Sequence, residues 1–118
     1  MAQPDPKYPR RVADSALLRA LHQEWRECVI CGEHRGKLSL HHVHKHPRDD
    51  VRGNLVMLCG TGTTGCHGKV EHADRDSRRA LGWYLVQNRP DVLRYLATKL
   101  RGEVQARAWI QRTFYIEA

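Results

Sequence analysis

Two pairs of cysteines constrain this chain more than any other feature of its sequence. Cys28 and Cys31 are separated by two residues and followed by Gly32, a spacing that lets two thiolates face one ion above a tight turn. Cys59 and Cys66 enclose six residues, three of them glycines that allow the chain to loop out and return. A redox pair, or unpaired buried thiols, would leave the second pair unexplained. We therefore predict a closed, structural Zn²⁺ site made by all four cysteines.

The length and charge of the chain limit its class. At 118 residues there is room for one domain with a modest core, which a bound structural metal would stabilise. The formal net charge of +7 favours nucleic acid as a partner, although many small basic proteins bind none. No apolar run reaches membrane-spanning length, and the segment MAQPDPKYPRR lacks the apolar stretch of a secretion signal. We expect no membrane partner and a cytoplasmic location, where thiols stay reduced and can bind metal.

The apolar pattern predicts an α+β fold. A single domain is expected over 14–118, with a core over 28–72 and a C-terminal helical extension over 76–114. In chain order the predicted elements are a proline-containing basic arm over 1–13, a helix over 14–27, a strand near 38–43, a strand over 54–58, a helix from about 66, a helix over 76–89 and a last helix over 91–112.

The last predicted helix has a helical stripe of apolar residues that should be buried. Pro90 should break the chain before this helix, and Gly102 should weaken it locally. The members of the stripe are Val92, Leu93, Leu96, Leu100 and Val104.

Histidines are concentrated between and beside the cysteine pairs. His41 and His42 follow an apolar segment, Asn54 precedes another, and His67 comes directly after the last cysteine. The segments LSLHHV over 38–43, GNLVMLC over 53–59 and GCHG over 65–68 resemble the HNH nuclease family. The stretch over 58–68 is similar to a variant found in HNH proteins of bacteriophages. The resemblance covers residues 28–72, and the ordered set of motifs is more specific than any one of them.

The resemblance implies a ββα-metal fold, in which two short strands and a helix surround a divalent cation. It also implies hydrolysis of DNA phosphodiester bonds, by nicking or double-strand cleavage, with DNA as the partner and, in phages, assistance to a terminase. By position, His41 matches a metal ligand and His42 matches the general base. Asn54 matches the residue that orients the base, and His67 matches a second metal ligand.

A third ligand stays open at this point. Glu71 lies four residues after His67 and shares its helical face, whereas His72 is the residue type that the family often uses but points elsewhere. The catalytic metal is open too, because imidazoles suit Zn²⁺ and Ni²⁺ while a carboxylate ligand favours Mg²⁺ or Mn²⁺. Adjacent strand residues point to opposite faces, so His41 and His42 can share a site only near a strand end.

The chemistry of the residues agrees with these roles. A neutral imidazole suits the removal of a proton from water near neutral pH, and Asn54 can accept from one ring nitrogen of His42. Lys45 and Arg48 are expected phosphate contacts. The remaining histidines are interpreted as surface or core residues, with phosphate contact a minor role for two of them (His44 and His46).

The principal alternative is a zinc-stabilised nucleic-acid-binding module without catalysis, and a redox or zinc-storage protein is less favoured. Both monomer and homodimer fit the sequence.

Overall fold

A computed structural model describes residues 10–117 as an α+β fold with one two-stranded antiparallel sheet. Most of the predicted arm, residues 1–9, lies outside the described residues, and residues 10–13 are extended without regular structure. In chain order the elements are α1 (Ser15–Glu24), β1 (Leu38–His42), a 3₁₀ turn (Arg52–Asn54), β2 (Leu55–Cys59), α2 (Gly65–Glu71), α3 (Arg75–Asn88), α4 (Pro90–Lys99) and α5 (Glu103–Thr113). No helix of the described part of the chain has the length and apolarity needed to cross a membrane.

The central unit is a strand pair covered by α2. The strands pair in a register that sets Leu38 opposite Cys59 and His42 opposite Leu55. β2 is buried along almost its whole length, as its run of apolar residues predicts, because α2 packs against it. Short strands of this kind leave few hydrogen bonds to hold the sheet, so the packing of α2 and the cysteine loops must contribute to its order.

The first helix is shorter than predicted. Asp14 caps α1 by accepting a hydrogen bond from the Leu17 N–H at 3.0 Å. The helix ends at Glu24, three residues before the predicted end at 27, because Trp25 takes an extended backbone conformation. Leu21 is the fully buried residue of this helix.

The prediction of one continuous last helix is wrong. α3 ends at Asn88 and Pro90 opens α4, as the proline suggested, but α4 stops at Lys99 and α5 begins at Glu103. Arg101 and Gly102 have positive φ angles of 65° and 112°, which no α-helix accommodates. The break changes the helical phase, so Val104 is 80 % exposed instead of buried.

The core lies between β2, α2 and the three C-terminal helices. Its fully buried side chains include Val56, Leu58, Val70, Leu81, Leu85, Val92, Leu96 and Ile110. Gly82 of α3 lets the chain beyond α5 approach closely, since a Cβ there would lie 2.5 Å from the Cβ of Phe114. The C-terminal helices therefore form one wall of the domain behind the strand pair and α2.

Candidate metal and catalytic site

The four cysteines come together at one end of the strand pair. Their sulfur atoms all lie within 4.8 Å of one another. Cys28 and Cys31 belong to the turn before β1, Cys59 ends β2, and Cys66 lies in the first turn of α2. The loop between the second pair closes tightly, since a Cβ on Gly60 would lie 2.1 Å from the carbonyl oxygen of Thr64. Glycine is therefore required there for the two cysteines to meet.

The sulfur spacing fits a tetrahedral ion. Cys31 Sγ and Cys59 Sγ are 3.6 Å apart, and a Zn–S bond of about 2.3 Å in a tetrahedron implies a sulfur–sulfur distance of about 3.8 Å. A disulfide would need about 2.05 Å. Burial raises the pKa of the Cys66 thiol, so its thiolate needs a nearby positive charge. The cluster can therefore hold a metal ion such as zinc, as the spacing of the cysteines predicted.

A second group of ligand atoms lies beside the strand pair. One ligand atom from each of His41, His67 and Glu71 falls within 4.8 Å of the other two. His41 Nδ1 lies 2.9 Å from Glu71 Oε1, and His67 Nε2 lies 3.4 Å from the same oxygen. The two imidazole rings meet edge to face, with centroids 5.2 Å apart. The two histidines expected as metal ligands are thus neighbours, with a carboxylate between them.

Of the two candidates for a third ligand, Glu71 is the one that lies beside both histidines. Its four-residue separation from His67 sets both side chains on one face of α2, as helical geometry requires. His72 follows the helix as its exposed C-terminal cap and is absent from the group of ligand atoms in the described residues. Of the two alternatives, the structure therefore favours the carboxylate.

A serine not singled out in the sequence determines which nitrogen of His67 carries the proton. The Ser39 hydroxyl donates its single hydrogen to the Gly60 carbonyl at 2.7 Å. Its oxygen lies 2.6 Å from His67 Nδ1, which must therefore be the donor of that second bond. The lone pair of His67 is then on Nε2, the nitrogen that faces Glu71. Ser39 and His41 are two residues apart on β1 and so share its face toward α2.

The ionisation of the group suits a divalent cation. Burial lowers the pKa of both His41 and His67, which favours their neutral forms. Hydrogen bonds from His41 and from Lys45 hold the pKa of Glu71 well below its usual range. Two neutral imidazoles and one carboxylate carry a net charge of −1 and can ligate Zn²⁺, Ni²⁺ or Mn²⁺. Lys45, expected to contact phosphate, instead forms an ion pair with Glu71.

His42 takes a different partner from the one predicted. It is the last residue of β1, and its Nε2 lies 2.8 Å from Asp50 Oδ1. Asn54 does not reach it. The fully buried Asn54 side chain accepts from the His44 N–H at 2.7 Å and donates to the carbonyls of His44 and Asp49. The Asn54 amide therefore hydrogen-bonds the backbone of the loop after β1. Its influence on His42 is indirect, through the conformation of that loop.

Asp50 is a second candidate site residue, after Ser39, that sequence reasoning missed. Its side chain is 3 % exposed and accepts hydrogen bonds from the Asp14 N–H, from His42 and from Arg11. Although burial opposes its ionisation, these hydrogen bonds keep the pKa of Asp50 below its ordinary value. The only sequence signal was an acidic pair four residues before Asn54, which also fits an ordinary loop. Arg11, at the end of the basic arm, therefore helps to position the Asp50 carboxylate, which in turn is bonded to His42.

These residues line an open groove of about 330 Å³. His42, Lys45, His67 and Glu71 line it together with Arg48, whose side chain is exposed. A larger groove of about 760 Å³ lies around Trp25 and contains none of these ligands. Size alone would select the larger groove, but His42 and two of the three candidate metal ligands, His67 and Glu71, line the smaller one.

No protein family, no curated protein and no solved structure matches this chain. The function of the site must therefore be argued from its own residues.

Proposed function

We propose that this protein is a metal-dependent endonuclease of the HNH type that hydrolyses phosphodiester bonds in DNA. One observation carries the proposal. Of a group of three ligand residues (His41, His67 and Glu71), His67 and Glu71 line an open groove, and a carboxylate-bound imidazole, His42, lines that same groove.

The three-residue group fits a catalytic metal rather than a structural one. Structural zinc sites have four protein ligands, whereas three ligands leave positions for water and substrate. A divalent cation bound there would neutralise charge on the phosphoryl oxygens and on the departing oxygen. Ser39 contributes by keeping the Nε2 lone pair of His67 directed toward the group.

His42 is suited to act as the general base. Asp50 is ionised and can only accept, so the Nε2 of His42 carries the proton and its Nδ1 carries a lone pair. Nδ1 has no hydrogen-bond partner within residues 10–117 and can take a proton from water in the groove. The imidazolium that forms remains paired with Asp50, which stabilises it. Asp50 thus takes the role that was predicted for Asn54, orientation of the His42 ring, and does so as a charged group.

Charge favours a polyanionic substrate. The chain carries a formal net charge of +7, and Arg48 lines the groove. Lys45 can exchange its pairing with Glu71 for a phosphate oxygen when a cation takes up the carboxylate charge. The groove is therefore electrostatically suited to a nucleic-acid backbone.

A plasmid-nicking assay tests the proposal. Zinc-loaded protein is incubated with supercoiled DNA and Mg²⁺, Mn²⁺, Ni²⁺ or additional Zn²⁺, with a chelator as the negative control. We expect metal-dependent cleavage that falls by about 10²- to 10⁴-fold in His42→Ala. His22→Ala, which changes an exposed histidine of α1, is the matched control and should cleave normally. Absence of cleavage with every metal, or equal cleavage by both variants, contradicts the proposal.

A zinc-stabilised DNA-binding module without catalysis is the second candidate. The ion pair between Lys45 and Glu71 favours it, because an ammonium group beside the carboxylate competes with a cation. Such a module would bind DNA with unchanged affinity after His42→Ala and would show no turnover with any metal.

A further inference from the structure

A second cavity, which we call the side cavity, opens beside the three-residue ligand group. It has a volume of about 230 Å³, and His41, Lys45 and Glu71 form the wall that it shares with the candidate site. Lys45 and Glu71 also line the open groove, so the two spaces are adjacent and share these side chains. A strand bound along the groove at Lys45 and Glu71 would therefore lie next to the side cavity.

The opposite wall is aromatic. Trp109 of α5 is half-buried, and its ring lies 5.3 Å from the ring of His44 at an angle of 57°. Phe114, which also lines the side cavity, meets Trp109 edge to face at 5.9 Å. The two valines of the floor, Val43 and Val70, are both buried. A flat ligand could stack on these aromatic rings, with its polar edge toward the charged lining residues Lys45, Glu71 and Arg78.

His44 supplies a neutral polar group beside the aromatic rings of the side cavity. It is nine-tenths buried, and neither ring nitrogen has a hydrogen-bond partner within residues 10–117. Nδ1 is closed off from solvent, which leaves Nε2 as the nitrogen that a ligand in the cavity can reach. Burial also lowers the pKa of His44, so the ring is neutral and can hydrogen-bond an uncharged partner. The Asn54 amide fixes the position of His44 through its backbone.

We propose that the side cavity receives an unpaired nucleobase of the DNA strand bound in the groove. The volume is below the range of about 300–1,000 Å³ typical of pockets for drug-sized ligands, and suits one planar ring system. Aromatic side chains stack on unpaired bases, and paired bases in a duplex cannot enter such a space. The inference rests on the proposed function and specifies its substrate, which is DNA with an unpaired nucleotide next to the phosphate in the groove.

Binding measurements with three matched oligonucleotides test this inference. The first is a fully paired duplex, the second has one additional unpaired adenine, and the third has an abasic residue in place of that adenine. Affinities for zinc-loaded protein are measured by fluorescence anisotropy without other added metals, and gels check that the strands stay intact. We expect the unpaired adenine to bind about 5- to 150-fold more tightly than the abasic residue, as the stacking of one base implies. Equal affinities for these two oligonucleotides overturn the inference.

Variants locate the effect. Trp109→Ala should reduce the preference for adenine over the abasic residue to less than about 3-fold, and Trp109→Phe should retain part of it. Trp83→Ala is the matched control, because this exposed tryptophan of α3 does not line the side cavity. If circular dichroism shows that Trp109→Ala is unfolded, His44→Ala replaces it. An unchanged preference in a folded cavity variant contradicts the inference.

The outcome separates this inference from the proposed function. Normal plasmid nicking without a preference for the unpaired base would refute the side cavity as a base site and leave the nuclease intact. A clear base preference without cleavage by any metal would support the side cavity and refute the nuclease.

Discussion

Replacing Ser39 with alanine tests the hydrogen-bond logic of the candidate metal group. The hydroxyl joins His67 Nδ1, at 2.6 Å, to the Gly60 carbonyl, at 2.7 Å. Without it, the Nδ1–H of a buried ring loses its acceptor, and the ring is free to carry its proton on Nε2 instead. Loss of such an outer partner of a metal-binding histidine weakens metal binding by about 10- to 100-fold. We expect a loss of that size for Ni²⁺ at the group formed by His41, His67 and Glu71.

The assay is isothermal titration of zinc-loaded protein with Ni²⁺. Ser39→Thr keeps the hydroxyl and should restore most of the affinity, while Ser77→Ala in α3 is the control for a serine change elsewhere. Zinc content should stay the same in all variants, because Ser39 is not among the cysteine ligands. If folded Ser39→Ala binds Ni²⁺ within about 3-fold of the parent, the hydroxyl does not set the tautomer of His67, and the argument fails.

Three further predictions follow from buried contacts of the same region. Asp50→Asn should lower kcat for DNA cleavage with little change in KM, because the amide cannot stabilise the His42 imidazolium. A rise in KM as large as the fall in kcat would contradict this role and point to misfolding. Asp49→Ala should cost about 3–5 kcal/mol of unfolding free energy, since the 1 % exposed carboxylate accepts from Tyr95 and pairs with Lys99. Burial opposes ionisation of Asp49, but these partners lower its folded pKa. Its contribution to the free energy of unfolding is therefore complete above about pH 4–5 and is lost as pH falls further. Urea unfolding at pH 7 and at pH 3 should show a smaller loss of stability in Asp49→Ala at pH 3. Lys45→Ala should bind Ni²⁺ more tightly but DNA more weakly, because the ammonium competes with a cation for Glu71; weaker metal binding would contradict this assignment.

Local sequence patterns were sufficient to predict the elements around the site. Two apolar segments, a glycine-rich loop and the cysteine spacing indicated two short strands followed by a helix, and the structure has β1, β2 and α2 in those places. The proximity of the four cysteines was predicted in the same way. Such patterns are informative because strand alternation, helical spacing and glycine turns depend on residues close together in the chain.

The C-terminal helices show where local patterns fail. A period of 3.6 residues continued past Gly102 in the sequence, and it predicted that Val104 would be buried. The positive φ at Arg101 and Gly102 arises where α5 turns back to pack on α4, a contact between segments that the pattern does not describe. Tertiary packing therefore overrode a weak local preference.

By itself, the sequence determined which residues could bind metal and in what order they occur, because ligand type and spacing are local properties. Only the tertiary structure showed that Glu71, rather than His72, lies beside His41 and His67, and only it paired His42 with Asp50 in place of Asn54. Those choices depend on where a loop, a strand end and the basic arm meet. The arm lies more than 35 residues from the loop in the chain, as its bond from Arg11 to Asp50 shows. Contacts across such a separation are set by the whole fold, which no short segment of sequence encodes.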